Sequence, residues 1–189
     1  MAPIIEYRQY NRSECAVFLY TGSKWGEFSN FAPIPIVGNG REFQTLEVLY
    51  QALKFPECVD VQVLVRGAKT AKEAKEIAWA HKDLVDPRWA EGMSLSAMRL
   101  CLRYKLIQNY KKIGKILGES GAMPIVEESH RDDFWGALPS SDGKILVGRN
   151  CLGRLWMELR DLWRMVESGQ TVPALPYYPG MKLFGELFG

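Results

Sequence analysis

The segment from Thr45 to Phe55 constrains the fold more than any other part of this sequence. Its apolar residues recur with the spacing i, i+3, i+4 and i+7, which places them on one face of a helix. Pro56 follows directly and discourages continuation of the helix past Phe55. The segment is therefore predicted to form an amphipathic helix of about three turns. Its apolar face consists of Leu46, Leu49, Tyr50 and Leu53.

Three later segments also carry helical signals. A capping box at residues 70–73 opens a helix that is predicted to run to about His81. A longer helix is predicted from about Ser94 to Tyr110, with a further turn or two to Gly118. Asn150 can cap a final helix. The residues of that last helix expected to face inward are Leu152, Leu155, Trp156, Leu159 and Trp163.

Residues 57–68 are ambiguous. Val59, Val61, Val63 and Val65 alternate as they would in a strand. The helices predicted on both sides favour a helix here as well.

Strand signals are short and scattered. Residues 15–20 and 123–127 are predicted strands, and residues 34–37 and 41–43 form a predicted hairpin around a turn at 38–40. The whole pattern predicts an α+β fold, in which helices dominate a single domain and a small antiparallel sheet lies beside them.

The length of 189 residues fits one domain and is too short for two full-sized ones. We assign residues 1–168 to this domain. Residues 169–189 are rich in proline and aromatic residues, and we predict that they form a strap packed over the body and not a free tail.

Composition excludes several classes of protein. The formal net charge of +2 is too small for a protein that mainly coats nucleic acid. No uncharged apolar run approaches the roughly 18 residues that a membrane-spanning helix needs, so no membrane partner is expected. The N-terminus lacks the pattern of a secretory signal, and the cytoplasm is the predicted location.

Metal-dependent chemistry is not expected either. The four cysteines stand singly and are predicted to be reduced thiols. His81 and His130 are the only histidines, whereas a structural zinc site needs four closely spaced Cys or His ligands. Neither histidine lies in a recognisable nucleophile motif.

The second face of the helix at 45–55 carries Glu47, Gln51 and Lys54, which project in one direction at i, i+4 and i+7. One interpretation is a solvated helix face with a distant Glu/Lys pair. The other is one wall of a cleft, where a carboxylate, an amide and an amine orient water, bind hydroxyls and stabilise charge. Spacing alone does not decide between them.

Two further stretches suit a planar ligand. The loop at 26–31, Gly-Glu-Phe-Ser-Asn-Phe, mixes small, polar and aromatic residues, although it is equally typical of a turn with two buried phenylalanines. Trp89 precedes a long helix, where a tryptophan usually fills the core and less often stacks on a base.

A third stretch joins two acids to two aromatic residues at 132–135, followed by Gly136. Sugar hydroxyls could bind Asp132 while a ring stacks on Trp135, or the acids are simply exposed at the end of a strand and the tryptophan is buried. Farther along, Lys144, Arg149 and the start of the last helix could receive a phosphate, because unpaired backbone N–H groups gather at helix starts.

Together these stretches resemble the NADAR family, also called YbiA-like. Its motifs are Gly-acid-Phe-Ser-Asn-Phe, Thr/Ser-x-Glu-His-x-x-Gln-Ala-x-Lys-Phe, an isolated Trp, Asp-x-x-Trp-Gly and Gly-x-Asn-x-Leu-Gly-x-x-x-Met. The chain carries them in this order at residues 26–31, 45–55, 89, 132–136 and 148–157. The resemblance covers about residues 15–165. One departure is Val48, where the family usually has His.

The resemblance implies a YbiA-like fold and hydrolysis of the N-glycosidic bond between ribose and a nitrogen of a heterocycle, without a cofactor. It makes Glu47 the carboxylate that faces the anomeric carbon, as general base or as electrostatic stabiliser. Asp132 would hold ribose hydroxyls or assist the leaving base. Lys54 would neutralise charge or attack an opened sugar as an amine. The substrate contacts implied in the same way are Glu27, Ser29, Asn30, Phe31, Gln51, Trp89, Trp135, Gly136, Arg149 and Asn150.

Three functions follow from this resemblance. The first is removal of ADP-ribose from guanine bases in DNA, as the antidote to a DNA ADP-ribosyltransferase toxin. The second is cleavage of free ribosylamino-pyrimidine intermediates of riboflavin synthesis. The third is a non-catalytic module that binds ADP-ribose or NAD. Val48 gives this third hypothesis some weight, whereas the retained Glu47, Lys54 and Asp132 weigh against it.

Overall fold

A computed structural model describes residues 5–173 and 179–188. The fold is of the predicted α+β class, and helices dominate it. The helices are α1 (Leu46–Ala52), α2 (Val59–Arg66), α3 (Ala71–Ala80), α4 (Met93–Gln108), α5 (Tyr110–Glu119) and α6 (Cys151–Glu167). The strands are β1 (Arg8–Asn11), β2 (Ala16–Phe18), β3 (Ile36–Gly38), β4 (Arg41–Phe43), β5 (Ile125–Glu127), β6 (Leu138–Pro139), β7 (Ile145–Gly148), β8 (Lys182–Leu183) and β9 (Glu186–Leu187).

The domain comprises two compact units. The first contains Met1–Ala32 and Lys111–Val172, and the second contains Pro33–Tyr110 and Pro173–Gly189. None of the helices in the described part of the chain is long and apolar enough to cross a membrane. Across residues 5–173 and 179–188, no group of three or more His, Cys, Asp and Glu side chains is placed to hold a metal ion.

The strands of the first unit form two separate sheets. β7 is the centre of a three-stranded antiparallel sheet with β1 and β6 on its sides. β2 and β5 form a parallel pair, with Val17 opposite Val126. This pair departs from the predicted purely antiparallel sheet, because residues 16–18 and 125–127 are far apart in the chain and run in the same direction.

Helix α6 supplies much of the core of the first unit. Leu152, Leu155, Trp156 and Leu159 are buried as predicted, whereas Trp163 is only half-buried. Its indole fits against α5 where that helix has glycines, because a Cβ at Gly114 would come within 2.9 Å of the ring.

Asn150 occupies the position before α6 but does not cap it. Its backbone is left-handed, with φ of 50°, and its side chain is fully buried. The side-chain Oδ1 accepts the N–H of Glu127 at 3.0 Å, and Nδ2 donates to the carbonyl of Ile125 at 2.9 Å. The predicted cap is therefore wrong: the amide that would cap the helix instead ties its first turn to β5.

In the second unit, α1 packs against α2, α3 and α4. The hydroxyl of Thr45 accepts the N–H of Val48 and caps α1. The predicted hairpin is present as β3 and β4, and Asn39 and Gly40 both have the positive φ that a tight two-residue turn requires. Helix α2 resolves the ambiguity of residues 57–68 in favour of a helix.

The described part of the predicted strap packs on the second unit. β8 and β9 form a hairpin, and Met181, Leu183 and Phe188 beside it are buried. Gln62 of α2 anchors it: its amide nitrogen donates to the carbonyl of Lys182 at 2.9 Å, and its carbonyl accepts the N–H of Phe184 at 2.6 Å. Residues 174–178 and 189 of the strap lie outside the described residues.

Candidate active site

Glu47 and Gln51 form a buried polar pair on α1. All seven residues of this helix are buried, and Glu47 is only 5% exposed. The amide nitrogen of Gln51 donates to Oε1 of Glu47 at 2.7 Å, as the i, i+4 spacing allows. The interpretation of this face as a solvated surface is therefore wrong at these two positions. A buried carboxylate held by one amide has a fixed orientation.

The side-chain carbonyl of Gln51 is available to accept a hydrogen bond. Its Oε1 is buried and accepts no hydrogen bond from the described residues. Buried polar atoms normally have a partner, and those without one deserve an explanation. This oxygen can accept a hydrogen bond from a hydroxyl or a water molecule that lies beside Glu47.

Lys54 is half-buried, one turn beyond Gln51. Its Nζ lies 5.9 Å from the ring centroid of Tyr50 and 5.9 Å from that of Trp89. Burial lowers the pKa of Lys54; the carboxylate of Glu47 opposes this shift, and the charge of Lys75 adds to it. Lys54 therefore gives up its proton more readily than an exposed lysine does.

Trp89 stands beside this amine and does not fill the core. It ends a short 3₁₀ turn at Pro87–Trp89, which begins where Asp86 accepts the N–H of Arg88. The N–H of Asp86 donates to the carbonyl of Lys54 at 2.9 Å, which ties the turn to the end of α1. The half-buried indole lies 5.1 Å from the ring of Tyr50. Together the two rings form an aromatic wall next to Lys54.

In the first unit, the loop at 26–31 is built around one buried ring. Phe28 packs against Trp156 at 5.1 Å, and the indole of Trp156 donates to the carbonyl of Phe28 at 2.8 Å. Gly26 is required because a Cβ would come within 2.0 Å of the carbonyl of Thr21. Phe31 is 39% exposed, so the interpretation with two buried phenylalanines is half right. Glu27 is half-buried, and Ser29 and Asn30 are buried.

Asp132 is exposed and organises its own turn. One carboxylate oxygen accepts the N–H groups of Phe134 at 3.0 Å and Trp135 at 2.9 Å. Trp135 is half-buried and meets Phe134 edge to face at 5.1 Å. Gly136 leaves no room for a side chain, since a Cβ would come within 2.7 Å of the carbonyl of Glu127.

The start of α6 is not an open anion site. The N–H groups of Cys151 and Leu152 donate to the carbonyls of Phe134 and Trp135 at 2.9 and 3.0 Å. The expectation of unpaired N–H groups there is wrong, because the 132–136 loop uses them. Arg149 is half-buried, with its guanidinium 4.9 Å from the ring of Tyr7. Lys144 is exposed in the turn that precedes β7.

A family model described as the NADAR domain matches residues 17–164. The N-glycosidase YbiA of Escherichia coli is 31% identical over 144 residues, which cover 76% of this chain and 85% of that protein. An N-glycosidase of Nostoc punctiforme is 30% identical over 72% of this chain and 85% of its own length. The NMR structure of E. coli YbiA superposes with a TM-score of 0.69 at 26% identity, covering 90% of this chain and 98% of that one.

The chain belongs to the NADAR family. It is an enzyme of the N-glycosidase class. A riboflavin biosynthesis protein of Vibrio vulnificus is also similar, with 32% identity over 72% of this chain. The chain spans only 35% of the length of that relative.

The NADAR motifs divide into positions that build the fold and positions that present chemical groups. Gly26, Phe28 and Asn150 belong to the first kind, because their contacts are explained by packing and backbone hydrogen bonds. Glu47 and Lys54 belong to the second. Substrate contact by any motif residue stays a prediction.

Val48 stands where NADAR proteins usually have His, and it is fully buried. At this position the chain contributes packing to the core of the second unit and no titratable group. A family histidine has no counterpart at this position of the chain.

Tyr50 is buried, as its place in the apolar repeat predicts, but the sequence analysis missed that its ring also lies beside Trp89 and Lys54. A signal was present: Tyr50 and Lys54 are at i and i+4, which puts them on one side of the helix predicted for residues 45–55. Lys75 of α3 has a charge that helps to lower the pKa of Lys54, and the sequence gave no sign of this contribution.

Proposed function

We propose that this NADAR enzyme removes ADP-ribose from ADP-ribosylated guanine bases in DNA and serves as the antidote to a DNA ADP-ribosyltransferase. The observation that carries the proposal is the buried Glu47–Gln51 pair, with its unused carbonyl, next to the aromatic wall and Lys54. A sugar attached to a planar heterocycle matches these groups.

Glu47 has the position and chemistry of a general base. It accepts the proton of a water molecule that attacks C1′ of the ribose, while the C1′–N bond breaks and its electrons leave with the guanine nitrogen. Gln51 orients the carboxylate, and its carbonyl can hold the second proton of that water or a ribose hydroxyl. Carboxylate charge beside C1′ also stabilises the oxocarbenium-like transition state.

The leaving guanine stacks on Trp89, next to Tyr50, in this proposal. Large aromatic rings bind planar heterocycles through their faces, and Trp89 is half-buried, so part of the ring is accessible. Asp132 holds ribose hydroxyls or helps to protonate the departing base, through the carboxylate oxygen that its own turn leaves unused.

Lys54 has two roles that the proposal keeps distinct. As an ammonium ion it stabilises negative charge on the leaving base or on the phosphates. As a neutral amine it attacks C1′ of the opened sugar and displaces the base, and water then hydrolyses the imine that remains. The lowered pKa of Lys54 favours the second role, because it increases the fraction of neutral amine.

Free ribosylamino-pyrimidines of riboflavin synthesis are the alternative substrate. The printed name of the Vibrio vulnificus relative supports it, and the same carboxylate would serve, because this bond also joins ribose to nitrogen. A non-catalytic ADP-ribose or NAD-binding module is the second alternative.

The test incubates the enzyme with a single-stranded oligonucleotide that carries ADP-ribose on one guanine, and separately with the ribosylamino-pyrimidine intermediates. Mass spectrometry follows the loss of ADP-ribose from the oligonucleotide and the release of free pyrimidine. Cleavage of the oligonucleotide alone is the expected result. Cleavage of the pyrimidines alone would establish the alternative, and ADP-ribose binding without any cleavage would establish the module. The Glu47→Gln protein, purified in parallel, controls for contaminating glycosidases.

A further inference from the structure

The outward face of α3 combines lysines with an unusually exposed tryptophan. Lys72, Lys75 and Trp79 follow one another at helical spacing, and Lys82 continues the row in the next turn. Trp79 is 74% exposed. The opposite face of α3 is built of buried alanines and packs on α1 and α2, so the tryptophan has no part in the core.

The segment from residue 69 to residue 82 carries a local excess of positive charge. Residues 69–82 contain four lysines and two glutamates, whereas the whole chain has 24 basic and 22 acidic residues. Glu73 is engaged at the start of the helix, where its carboxylate accepts the N–H of Lys69 at 2.7 Å. A local positive surface attracts phosphates even when the protein as a whole is nearly neutral.

Trp79 supplies a surface of a different kind. The ammonium of Lys82 lies 5.5 Å from its ring centroid. The high exposure of the indole leaves ring surface on which a planar group can stack. Aromatic side chains between basic residues are typical of proteins that bind single strands, where bases stack and phosphates meet lysines. In a duplex the bases are paired and stacked on one another, so their faces are not available.

The row also leads to the candidate active site. Lys75 is close enough to Lys54 to contribute to its lowered pKa. Trp79 lies one helical turn farther along α3, or about 5.4 Å. This is of the order of one or two nucleotide steps, at roughly 3.4 Å per stacked nucleotide.

We propose that the outward face of α3, from Lys72 through Lys75 and Trp79 to Lys82, binds the single-stranded DNA that flanks the modified guanine, with one base stacked on Trp79. This inference rests on the proposed function for the identity of the modified base, but DNA binding by this face can be measured without it.

The first experiment measures binding of an unmodified, fluorescein-labelled single strand of about 10 nucleotides by anisotropy at low salt. Trp79→Ala is expected to weaken binding at least about 5-fold, and Trp79→Phe should retain most of it. Lys72→Ala should weaken binding and reduce its salt dependence. A duplex of the same sequence is expected to bind less tightly and to respond less to Trp79→Ala.

Two matched controls are available on other helices. Ile107 on α4 is 65% exposed, and Ile107→Ala removes an exposed apolar side chain elsewhere. Lys115 forms an i, i+4 pair with Glu119 on α5, just as Lys72 does with Glu76 on α3. Neither Ile107→Ala nor Lys115→Ala should change the affinity. Equal affinity of wild type and Trp79→Ala, equal losses in the controls, or no binding of the single strand by wild type would overturn the proposal.

The second experiment separates this proposal from the proposed function. It compares kcat/KM for the ADP-ribosylated oligonucleotide with kcat/KM for ADP-ribosylated guanosine. The preference for the oligonucleotide should fall at least about 5-fold in Trp79→Ala, through KM. An unchanged preference would refute the α3 surface while the glycosidase function stood. Cleavage of neither substrate, with binding that still depends on Trp79, would refute the proposed function and leave the surface standing.

Discussion

Helix α1 and the loop at 132–136 carry the two carboxylates that the sequence predicts to be catalytic. The two carboxylates differ in their burial and in their hydrogen-bond partners. Glu47 is buried and is held by another side chain of the predicted site, the amide of Gln51. Asp132 is exposed and is held by the backbone of its own turn. A regular helix satisfies its own backbone, so its polar side chains remain available to one another. A loop must satisfy its backbone with side chains first.

From this difference we expect Glu47 and Asp132 to have different roles in the proposed reaction. A buried carboxylate with one fixed partner is suited to proton transfer at a defined atom. An exposed carboxylate that already accepts two N–H groups is suited to hold a loop and offer its other oxygen to a hydroxyl. Removing each charge separately should therefore have unequal effects on kcat and KM.

The largest effect is expected for Glu47→Gln. The substitution keeps the shape of the side chain and an oxygen that accepts from Gln51, but it removes the base. We expect kcat to fall by at least about 100-fold with substrate binding retained, measured by steady-state cleavage and by calorimetric titration of ADP-ribose. Glu42→Gln, on the exposed strand β4, is the matched control and should behave as wild type. Turnover within a few-fold of wild type would show that Glu47 is not the general base. The proposed difference in role between Glu47 and Asp132 would then be wrong.

Lys54→Arg should have the next largest effect, and it distinguishes the two roles of this lysine. Arginine retains a positive charge but cannot act as a neutral amine, because its guanidinium keeps its proton throughout the pH range of the assay. If Lys54 attacks the sugar, kcat should fall at least about 10-fold. If it stabilises charge, Lys54→Arg should keep most activity and Lys54→Met should lose it.

The pH dependence of the wild-type enzyme gives an independent readout of the same question. Burial lowers the pKa of Lys54, so its neutral fraction begins to rise at a lower pH than in an exposed lysine. For an attacking amine, kcat rises with pH through this range and then levels off. For a stabilising ammonium, kcat falls over the same range. If the same change of kcat with pH persists in Lys54→Met, it reflects the titration of another group.

The third effect concerns Asp132 and is expected mainly in KM. Asp132→Asn keeps the oxygen that accepts the N–H groups of Phe134 and Trp135 but removes the charge. We expect KM to rise by about 10-fold, the value of one hydrogen bond to a charged group, with the melting temperature unchanged. Asp132→Ala should lose in addition about 1 kcal/mol of stability, because the turn loses its acceptor. A larger effect on kcat than on KM in Asp132→Asn would give the exposed acid a chemical role equal to that of Glu47.

The same contrast explains what the sequence could predict. Periodic segments predicted the other helices, although α1 ends at Ala52 and not at Phe55. They left α2 ambiguous, where Val61 and Val65 are buried on one face and Val59 and Val63 are exposed on the other. The alternation that suggested a strand there also fits i, i+4 pairs on two faces of a helix. Strand β1 was missed because its four residues are polar and only Tyr10 is buried.

Contacts between segments far apart in the chain were beyond sequence reasoning. The common direction of Glu47 and Gln51 could be predicted because a helix has a fixed period, whereas Lys54 lies in the turn beyond the end of α1. The pairing of β2 with β5, and the engagement of the α6 N–H groups by the 132–136 loop, could not, because no local pattern encodes them.

The smallest effect on catalysis is expected at Asn150. Sequence reasoning made it a cap and a substrate contact, whereas its buried amide joins Glu127 and Ile125 of β5 to the start of α6. Asn150→Ala should therefore lower the free energy of unfolding by roughly 2–3 kcal/mol, because two buried backbone groups lose their partner.

Asn150→Gly separates the hydrogen bonds from the backbone conformation. Glycine adopts the positive φ of residue 150 without strain, so Asn150→Gly loses the two hydrogen bonds and gains unfolded-chain entropy but adds no strain at Cβ. Alanine should be worse by about 1 kcal/mol, the cost of a left-handed residue with a Cβ. Denaturant unfolding measures both losses, and kcat/KM measured well below the melting temperature should change less than about 3-fold. If instead both variants keep their stability and lose kcat/KM, Asn150 contacts the substrate, and the division of the NADAR motifs into structural and chemical positions fails at this residue.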